Sequence, residues 1–289
     1  MVVTGALPVP EKRRRSRVVR RFLRNRPAII GGVVILVVVM VAVFAPLLAP
    51  YDPTATDWGK VRQAPSAEHW LGTDDLGRDS LSRLIYGARA SLMAGVVSVL
   101  IAVGIGVPFG MISGYVGGWL DAVMMRITDA VLAIPFLILA IALAAFLGPS
   151  LTNAMIAIGL SASPVFARLA RGQTLVVRLE DYVQAARSIG APHVIILLRH
   201  IFPNILPPIL VQATLTIAIA IIAEASLSFL GLGQQPPLPS WGGMLNTARS
   251  FLYQAPEMAI WPGIAIFVAV LAFNVFGDGL HDALDPKDE

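Results

Sequence analysis

The hydrophobic positions of this chain fall into long uncharged runs separated by short polar segments. The first run, residues 28–49, holds 22 residues without a charge, which is enough for a helix to cross a bilayer core of about 30 Å. Similar runs predict further transmembrane helices over residues 90–120, 122–147, 151–171, 204–232 and 258–277. The pattern therefore predicts an all-α polytopic membrane protein with six transmembrane helices.

One polar segment, residues 180–203, separates the fourth and fifth runs. Apolar positions follow a helical spacing up to Gly190, and residues 194–202 resume an apolar helical pattern. Gly190 can adopt a positive φ at little cost, and Pro192 suits the first turn of a second helix. The segment therefore predicts a helical hairpin that projects from the bilayer surface.

Composition agrees with a membrane protein. The 289 residues are 56% hydrophobic and 14% charged, and the mean hydropathy is +0.73, whereas a soluble domain has about 25% charged residues. The chain has no cysteine, which excludes disulfides and thiolate metal sites, and its four histidines are scattered.

The positive charge is concentrated near the N-terminus. Residues 1–27 contain nine of the 22 Lys and Arg residues, so the positive-inside rule predicts a cytoplasmic tail. Apolar positions in residues 17–25 predict an interfacial helix, while a disordered tail is the interpretation of residues 1–12. The net charge of +4 indicates contact with anionic membrane lipid rather than nucleic acid.

This orientation assigns sides to the remaining segments. Residues 50–89 become an extracytoplasmic loop, and residues 231–257, rich in Gly, Pro and Trp, an outer cap with a short helix near residues 244–251. Residues 90–277 then form a core of five transmembrane helices. Residues 278–289 form an acidic, solvated tail, so both termini are expected in the cytoplasm.

The extracytoplasmic loop carries an ordered motif, HWLGTDDLGRDSLSRLIYGARASL, at residues 69–92. Its central positions are Gly72, Thr73, Asp74, Gly77, Arg78 and Asp79, and Asp79 is placed to cap a following helix. The motif resembles the signature before the second helix in the C-type permease subunit of bacterial dipeptide, oligopeptide and nickel ABC importers. The alternative is a charged loop that packs on its own helix ends.

The hairpin resembles the EAA loop of the same permeases, in which a coupling helix docks into a groove on a separate ATPase. Gln184 stands where Glu is commoner in that loop, and Phe202 where Leu is commoner. The coupling residues that the resemblance implies are Tyr182, Gln184, Ala185, Ala186, Gly190, Ala191 and Pro203. An amphipathic interfacial hairpin without a partner is the alternative.

Two acidic residues lie within predicted spans. Glu224 is the only charged residue in residues 200–248, and such a residue usually faces the bundle interior or water. With Ser226 and Ser228, it is placed either at an outer mouth of a translocation path or on a mid-bilayer ion pathway. Asp129 is interpreted either as an interface anchor or as a polar contact within the bundle.

Smaller predictions concern proline and tryptophan. Pro207 and Pro208 near the inner end of the fifth span are expected to kink it, because each lacks a backbone donor. Trp261 is expected at a membrane interface as an aromatic anchor.

No catalytic constellation accompanies these features. The sequence contains no G-x-x-x-x-G-K-[ST] phosphate loop, no Ser/His/Asp set and no metal-ligand cluster, so an enzyme is not expected and no cofactor is predicted in this chain. ATP and Mg are instead expected on partner ATPases.

The resemblance implies a type I ABC-importer permease fold in the bacterial cytoplasmic membrane. It also implies a second homologous permease subunit, two ATP-binding subunits and an extracytoplasmic substrate-binding protein. Import of di- or oligopeptides by alternating access is the expected function, with nickel or a glutathione-like solute as alternatives. A secondary transporter or channel and a non-transporting scaffold are rival classes; the absence of repeated halves weighs against the first.

Overall fold

The computed structural model describes residues 24–284. The predicted basic tail and interfacial helix lie outside the described residues, except for their last few positions. Within the described range the α-helices are α1 (Arg26–Val43), α2 (Ala45–Leu48), α3 (Ser80–Val116), α4 (Gly118–Leu132), α5 (Phe136–Leu147), α6 (Leu151–Val177), α7 (Asp181–Ser188), α8 (His193–Phe229), α9 (Trp241–Ala248) and α10 (Glu257–Leu284).

Five of these helices, α1, α3, α6, α8 and α10, are long and apolar enough to cross a bilayer. Helices α4 and α5 meet at an angle of 88° and supply a sixth crossing if the pair is one span. The prediction of one continuous helix over residues 122–147 was therefore wrong. Pro135, which has extended backbone angles and no N–H to donate, separates the two pieces.

Several helices extend beyond their predicted limits. Helix α3 begins at Ser80, ten residues before the predicted span. The Asp79 side chain accepts a hydrogen bond from the Ser82 N–H, which confirms the predicted helix cap. Helix α10 continues to Leu284, so the first acidic residues assigned to a separate tail are helical. Among them, Asp282 accepts a hydrogen bond of 3.2 Å from Asn25, beside the start of α1.

The second arm of the hairpin and the fifth span form one helix, α8, and do not separate near residue 204 as predicted. A π-helical turn, Ile196–Ile201, lies within it. This wider turn ends two residues before Pro203, which cannot donate the hydrogen bond of a regular α turn. Pro207 and Pro208 lie inside the helix, and the kink predicted there stays a prediction.

Glycine residues bring α3 and α6 into backbone contact at the centre of the molecule. Gly106, Gly110 and Gly114 are spaced four residues apart, so they share one side of α3. A Cβ atom on Gly110 would lie 2.0 Å from the carbonyl oxygen of Ala167, and one on Gly106 would lie 2.2 Å from that of Ser163. Small residues at such spacing are typical of close helix pairs in membranes.

The two ends of the bundle differ in what they carry. The hairpin end bears α7 and the start of α8, and the cap end bears residues 50–79 and α9. Between them, large apolar side chains such as Leu36, Leu100 and Phe267 are at least 60% exposed. Exposed apolar surface of this extent suits contact with lipid or another membrane subunit rather than water.

Candidate functional site

The hairpin has the predicted helix, turn and helix geometry. Gly190 lies in the turn with φ +74, a conformation that glycine adopts without the strain of a side chain. The Gly190 N–H donates to the Arg187 carbonyl at 3.0 Å, and the Ala191 N–H donates to the Ala186 carbonyl at 3.1 Å. Pro192 precedes α8 as its N-cap, one position before the predicted first turn.

One narrow face of α7 is buried, and the rest of the helix surface is exposed. Val183 and Ala186, three residues apart, are buried in the core of the chain with Ile196 and Ile201. Ala186 therefore packs inside its own chain, and its role in contact with an ATPase stays a prediction. Of the other predicted coupling residues, Ala191 is partly buried and those exposed are Tyr182, Gln184, Ala185, Gly190 and Pro203.

Two of the exposed residues have defined environments. The Gln184 amide donates to the Arg178 carbonyl at 2.8 Å, so it closes the end of α6. Partial burial and the nearby Glu180 carboxylate raise the pKa of Tyr182, which keeps its hydroxyl protonated. Ile189, at the turn, is 85% exposed, and it gives the hairpin tip an apolar contact surface.

Ion pairs join α4 to α6 near the hairpin end. The Arg171 guanidinium donates to both carboxylate oxygens of Asp121, at 2.5 and 2.6 Å, and the Ser113 hydroxyl also donates to Asp121. Arg168 donates to Asp129 at 2.6 Å, with both side chains more than half exposed. Asp129 thus makes a polar contact within the bundle, one of its two predicted alternatives.

The outer signature, residues 72–79, folds as a compact turn around two buried carboxylates. Asp74 accepts hydrogen bonds from the N–H groups of Leu76 and Arg78, at 2.9 and 3.0 Å, and from the Arg78 side chain at 2.6 Å. Asp79 accepts from Ser82 and lies 2.9 Å from the His69 ring nitrogen Nδ1. These contacts support the alternative in which the loop packs on the end of its own helix.

The remaining residues of the outer signature fix its backbone. Gly72 and Gly77 have φ +76 and +74, and a Cβ on Gly77 would lie 1.8 Å from the Asp57 carbonyl oxygen. The Thr73 hydroxyl accepts a hydrogen bond from Gln63 at 2.8 Å and donates to the Lys60 carbonyl. Each of the six predicted positions is therefore explained by local folding.

Glu224 is fully buried close to the cap end, and it joins three elements. Its carboxylate accepts hydrogen bonds from Ser91 of α3 at 3.0 Å and from Ser228 of α8 at 2.6 Å. The Ser228 hydroxyl also accepts from the Gln234 N–H at 3.1 Å, at the start of the cap. Ser226 lies elsewhere and donates to the Ile222 carbonyl, so it does not join this cluster.

The sequence matches two family profiles. One, described as the inner membrane component of binding-protein-dependent transport systems, covers residues 106–287. The other, described as the N-terminal transmembrane domain of oligopeptide transport permease C, covers residues 14–65. The chain is a C-type ABC-importer permease of the peptide-transporter family.

Curated relatives of this permease include the glutathione transport system permease protein GsiD of Pectobacterium atrosepticum and that of Escherichia coli. Each is 48% identical over 269 residues, which is 93% of this chain and 89% of the relative. Among solved structures, two inward-facing crystal forms of the MetNI methionine ABC transporter match with TM-scores of 0.57 and 0.58. They cover 70% and 71% of this chain, and 97% and 98% of theirs, at 19% and 20% identity, which supports the type I permease fold.

Sequence reasoning missed the residues that join the permease's elements to one another. Arg83, 6% exposed, donates to the carbonyls of Pro53 and Pro237 at 2.9 and 3.3 Å and pairs with Asp74 at 3.2 Å. Its guanidinium thus connects the outer signature to the cap. The available signal for Arg83 was an arginine near the start of a long, mostly apolar helix. Ser91, the donor to Glu224, gave no such signal.

Proposed function

We propose that this permease subunit couples ATP hydrolysis on separate subunits to solute import through the hairpin of α7 and the start of α8. The supporting observation is the exposed hairpin at the position of the EAA loop, with Tyr182, Ala185 and Ile189 on its surface. An apolar tip flanked by polar residues suits a helix-in-groove contact.

The hairpin end is proposed to face the cytoplasm. Arginine residues are concentrated there, among them Arg168, Arg171, Arg178, Arg187 and Arg199, and basic residues favour the cytoplasmic side. The same orientation puts the cap end outside, where an extracytoplasmic binding protein delivers solute. A second related permease completes the membrane pair, and the two ATP-binding subunits bind ATP and Mg.

The proposed mechanism is alternating access. ATP binding closes the ATPases, the hairpin moves with them, and the path between the two permeases opens outward. Because the second hairpin arm and the fifth span form the single 37-residue helix α8, no loop separates the second arm from the membrane. Displacement of the hairpin is therefore passed directly to a transmembrane helix.

The proposed cargo is a short peptide, with glutathione included. Two relatives carry glutathione transport in their names, and glutathione is itself a tripeptide with free carboxylates and an amine. A di- or tripeptide presents the same charged termini and backbone amides. This shared chemistry favours a peptide-like solute over a nickel chelate, and it leaves peptide length to the binding protein.

The test is to purify the tagged permease with its native partners and reconstitute the complex in liposomes with its binding protein. Dipeptide, oligopeptide and glutathione are then compared for stimulation of ATP hydrolysis and for uptake. The proposal predicts two ATPases, a second permease and uptake that requires ATP. Uptake of nickel but of no peptide would contradict the proposed cargo. Solute flux in the absence of the ATPases would instead indicate a channel or a secondary transporter.

A further inference from the structure

One side chain at the hairpin end of α3 contacts both arms of the hairpin. Tyr115 is 5% exposed, and its Oη lies 2.8 Å from Nδ1 of His193, the first residue of α8. The Arg187 guanidinium, from the last turn of α7, lies 5.0 Å from the centre of the Tyr115 ring. The ring thus bonds to one arm and stacks beneath a cation from the other.

The backbone at the same place is bound by a third helix. Arg178, at the end of α6, donates to the Gly114 carbonyl at 2.8 Å and lies 3.5 Å from the Tyr115 carbonyl. These carbonyls belong to the last turn of α3, which lacks intrahelical donors and favours a cation. The end of α3 is therefore held by α6, α7 and α8 together.

A sharp turn begins immediately beyond this point. Gly117 and Gly118 have φ +72 and +63, and they join α3 to α4 in a conformation that glycine tolerates best. Asp121 of α4 accepts from both Ser113 and Arg171. Movement of the end of α3 therefore also moves the corner between α3 and α4. The polar contacts of Tyr115 and of the neighbouring carbonyls are the points at which the other helices act on this end.

We propose that Tyr115 is the positioning residue that passes movement of the hairpin to the α3–α4 corner. This inference rests on the proposed function, in which the hairpin moves with the ATPases. The hydroxyl bond to His193 is the contact that transmits the motion, because α8 carries the hairpin into the membrane. The Arg187 cation keeps the Tyr115 ring in position while movement of α8 acts through that bond.

The first test is Tyr115→Phe in the reconstituted transporter, since it removes the hydroxyl and keeps the ring under Arg187. We expect the number of ATP molecules hydrolysed per solute imported to rise several-fold, with ATPase copurification unchanged. Tyr86→Phe is the matched control, because Tyr86 lies on the same helix at the opposite end and its ring also neighbours an arginine, Arg89, at 5.8 Å. Its ratio should stay at the wild-type value.

The second test addresses the partner of the hydroxyl. His193→Leu should raise the same ratio, and His193→Asn, which keeps a polar atom near the position of Nδ1, should restore it in large part. The double variant Tyr115→Phe/His193→Leu should be no worse than either single variant, since both remove one bond. If Tyr115→Phe does not accumulate, the two His193 variants, which leave α3 unaltered, decide the result.

A wild-type ratio in Tyr115→Phe or in His193→Leu would overturn the inference, and so would effects that multiply in the double variant. Failure of the proposed function is distinct from these outcomes. In that case the wild-type chain itself would show no bound ATPases and no ATP-dependent uptake.

Discussion

At the scale of single residues, Glu224 shows how an acidic side chain becomes part of the core of a membrane protein. Its carboxylate has two serine hydroxyl donors from different helices and is fully buried. In this conformation it does not line an opening, and its proximity to the cap agrees with the outer-mouth alternative. Its role on a translocation path stays a prediction.

Replacement of Glu224 separates a structural role from a transport role. Glu224→Leu removes the shared acceptor of Ser91 and Ser228, so we expect a loss of about 1–3 kcal/mol in unfolding free energy. Glu224→Gln keeps an acceptor and should lose less. Thermal unfolding in detergent measures both, with Ser226→Ala, outside the cluster, as the stability control. Equal stability of Glu224→Leu and wild type would contradict the structural role.

A second residue-scale prediction concerns Arg83, which binds the outer loop and the cap through backbone carbonyls. Arg83→Met keeps an apolar side chain of similar length but removes every donor. We expect faster cleavage of residues 50–79 by added protease, because their connection to the cap is lost. Arg89→Met on the same helix is the control, because the Arg89 side chain contacts the Val43 carbonyl at 3.4 Å and the Tyr86 ring at 5.8 Å but neither the outer loop nor the cap. Identical cleavage of the two variants would contradict the assignment.

At the scale of elements, the packing of α3 on α6 depends on the absence of side chains. Gly110→Ala would place a Cβ 2.0 Å from the Ala167 carbonyl oxygen, whereas Gly104 on the same helix has open space around it. We expect Gly110→Ala to destabilise the permease by about 1–3 kcal/mol or more, as overpacked cores do. Gly104→Ala should be neutral or slightly stabilising, and thermal unfolding of the pair measures the difference. Comparable melting of both variants would show that the helices can separate without cost.

The sequence predicted the existence of helices well where a long apolar run defines them. It predicted breaks and contacts poorly where they depend on a single residue. Uninterrupted runs located the five long spans, but only five of their ten ends lie within four residues of the predicted ones, and the other five differ by six to eleven residues. The 88° bend between α4 and α5 was missed because Pro135 sits in an apolar run that hydropathy cannot divide. The glycine spacing of α3 was also visible in the sequence, but the partner helix was not, since hydropathy does not say which spans touch.

At the scale of the whole molecule, the hairpin could be located from the sequence, whereas the surface that it leaves exposed could not. Turn residues marked the hairpin, because Gly190 and Pro192 act locally. Burial of Ala186 depends on Ile196 and Ile201 from the other arm, and such contacts arise only in the folded chain. Likewise, the outer signature could be recognised as ordered, while its connection to the cap through Arg83 depends on residues 154 positions away.

The absence of cysteine from the sequence makes the proposed orientation directly measurable. Tyr253→Cys at the cap end and Ile189→Cys at the hairpin tip replace fully or largely exposed side chains. We expect a membrane-impermeant maleimide to label the first in intact cells and the second only in opened membranes. ATPase subunits should protect Ile189→Cys from the reagent. Labelling of Ile189→Cys in intact cells would show that the hairpin faces outward, opposite to the proposed orientation.

The continuity of α8 also fixes the direction in which the hairpin faces relative to the side chains of the fifth span. Each residue of an α-helix turns the chain by about 100°, so one residue inserted in the fifth span would rotate the hairpin's exposed face by that angle relative to Glu224. Removal of seven residues from the unaltered span, about two turns, would keep the face within about 20° of its original direction but shorten the helix by about 10 Å. Two constraints therefore act on the length of this span: the thickness of the bilayer and the direction in which the hairpin faces.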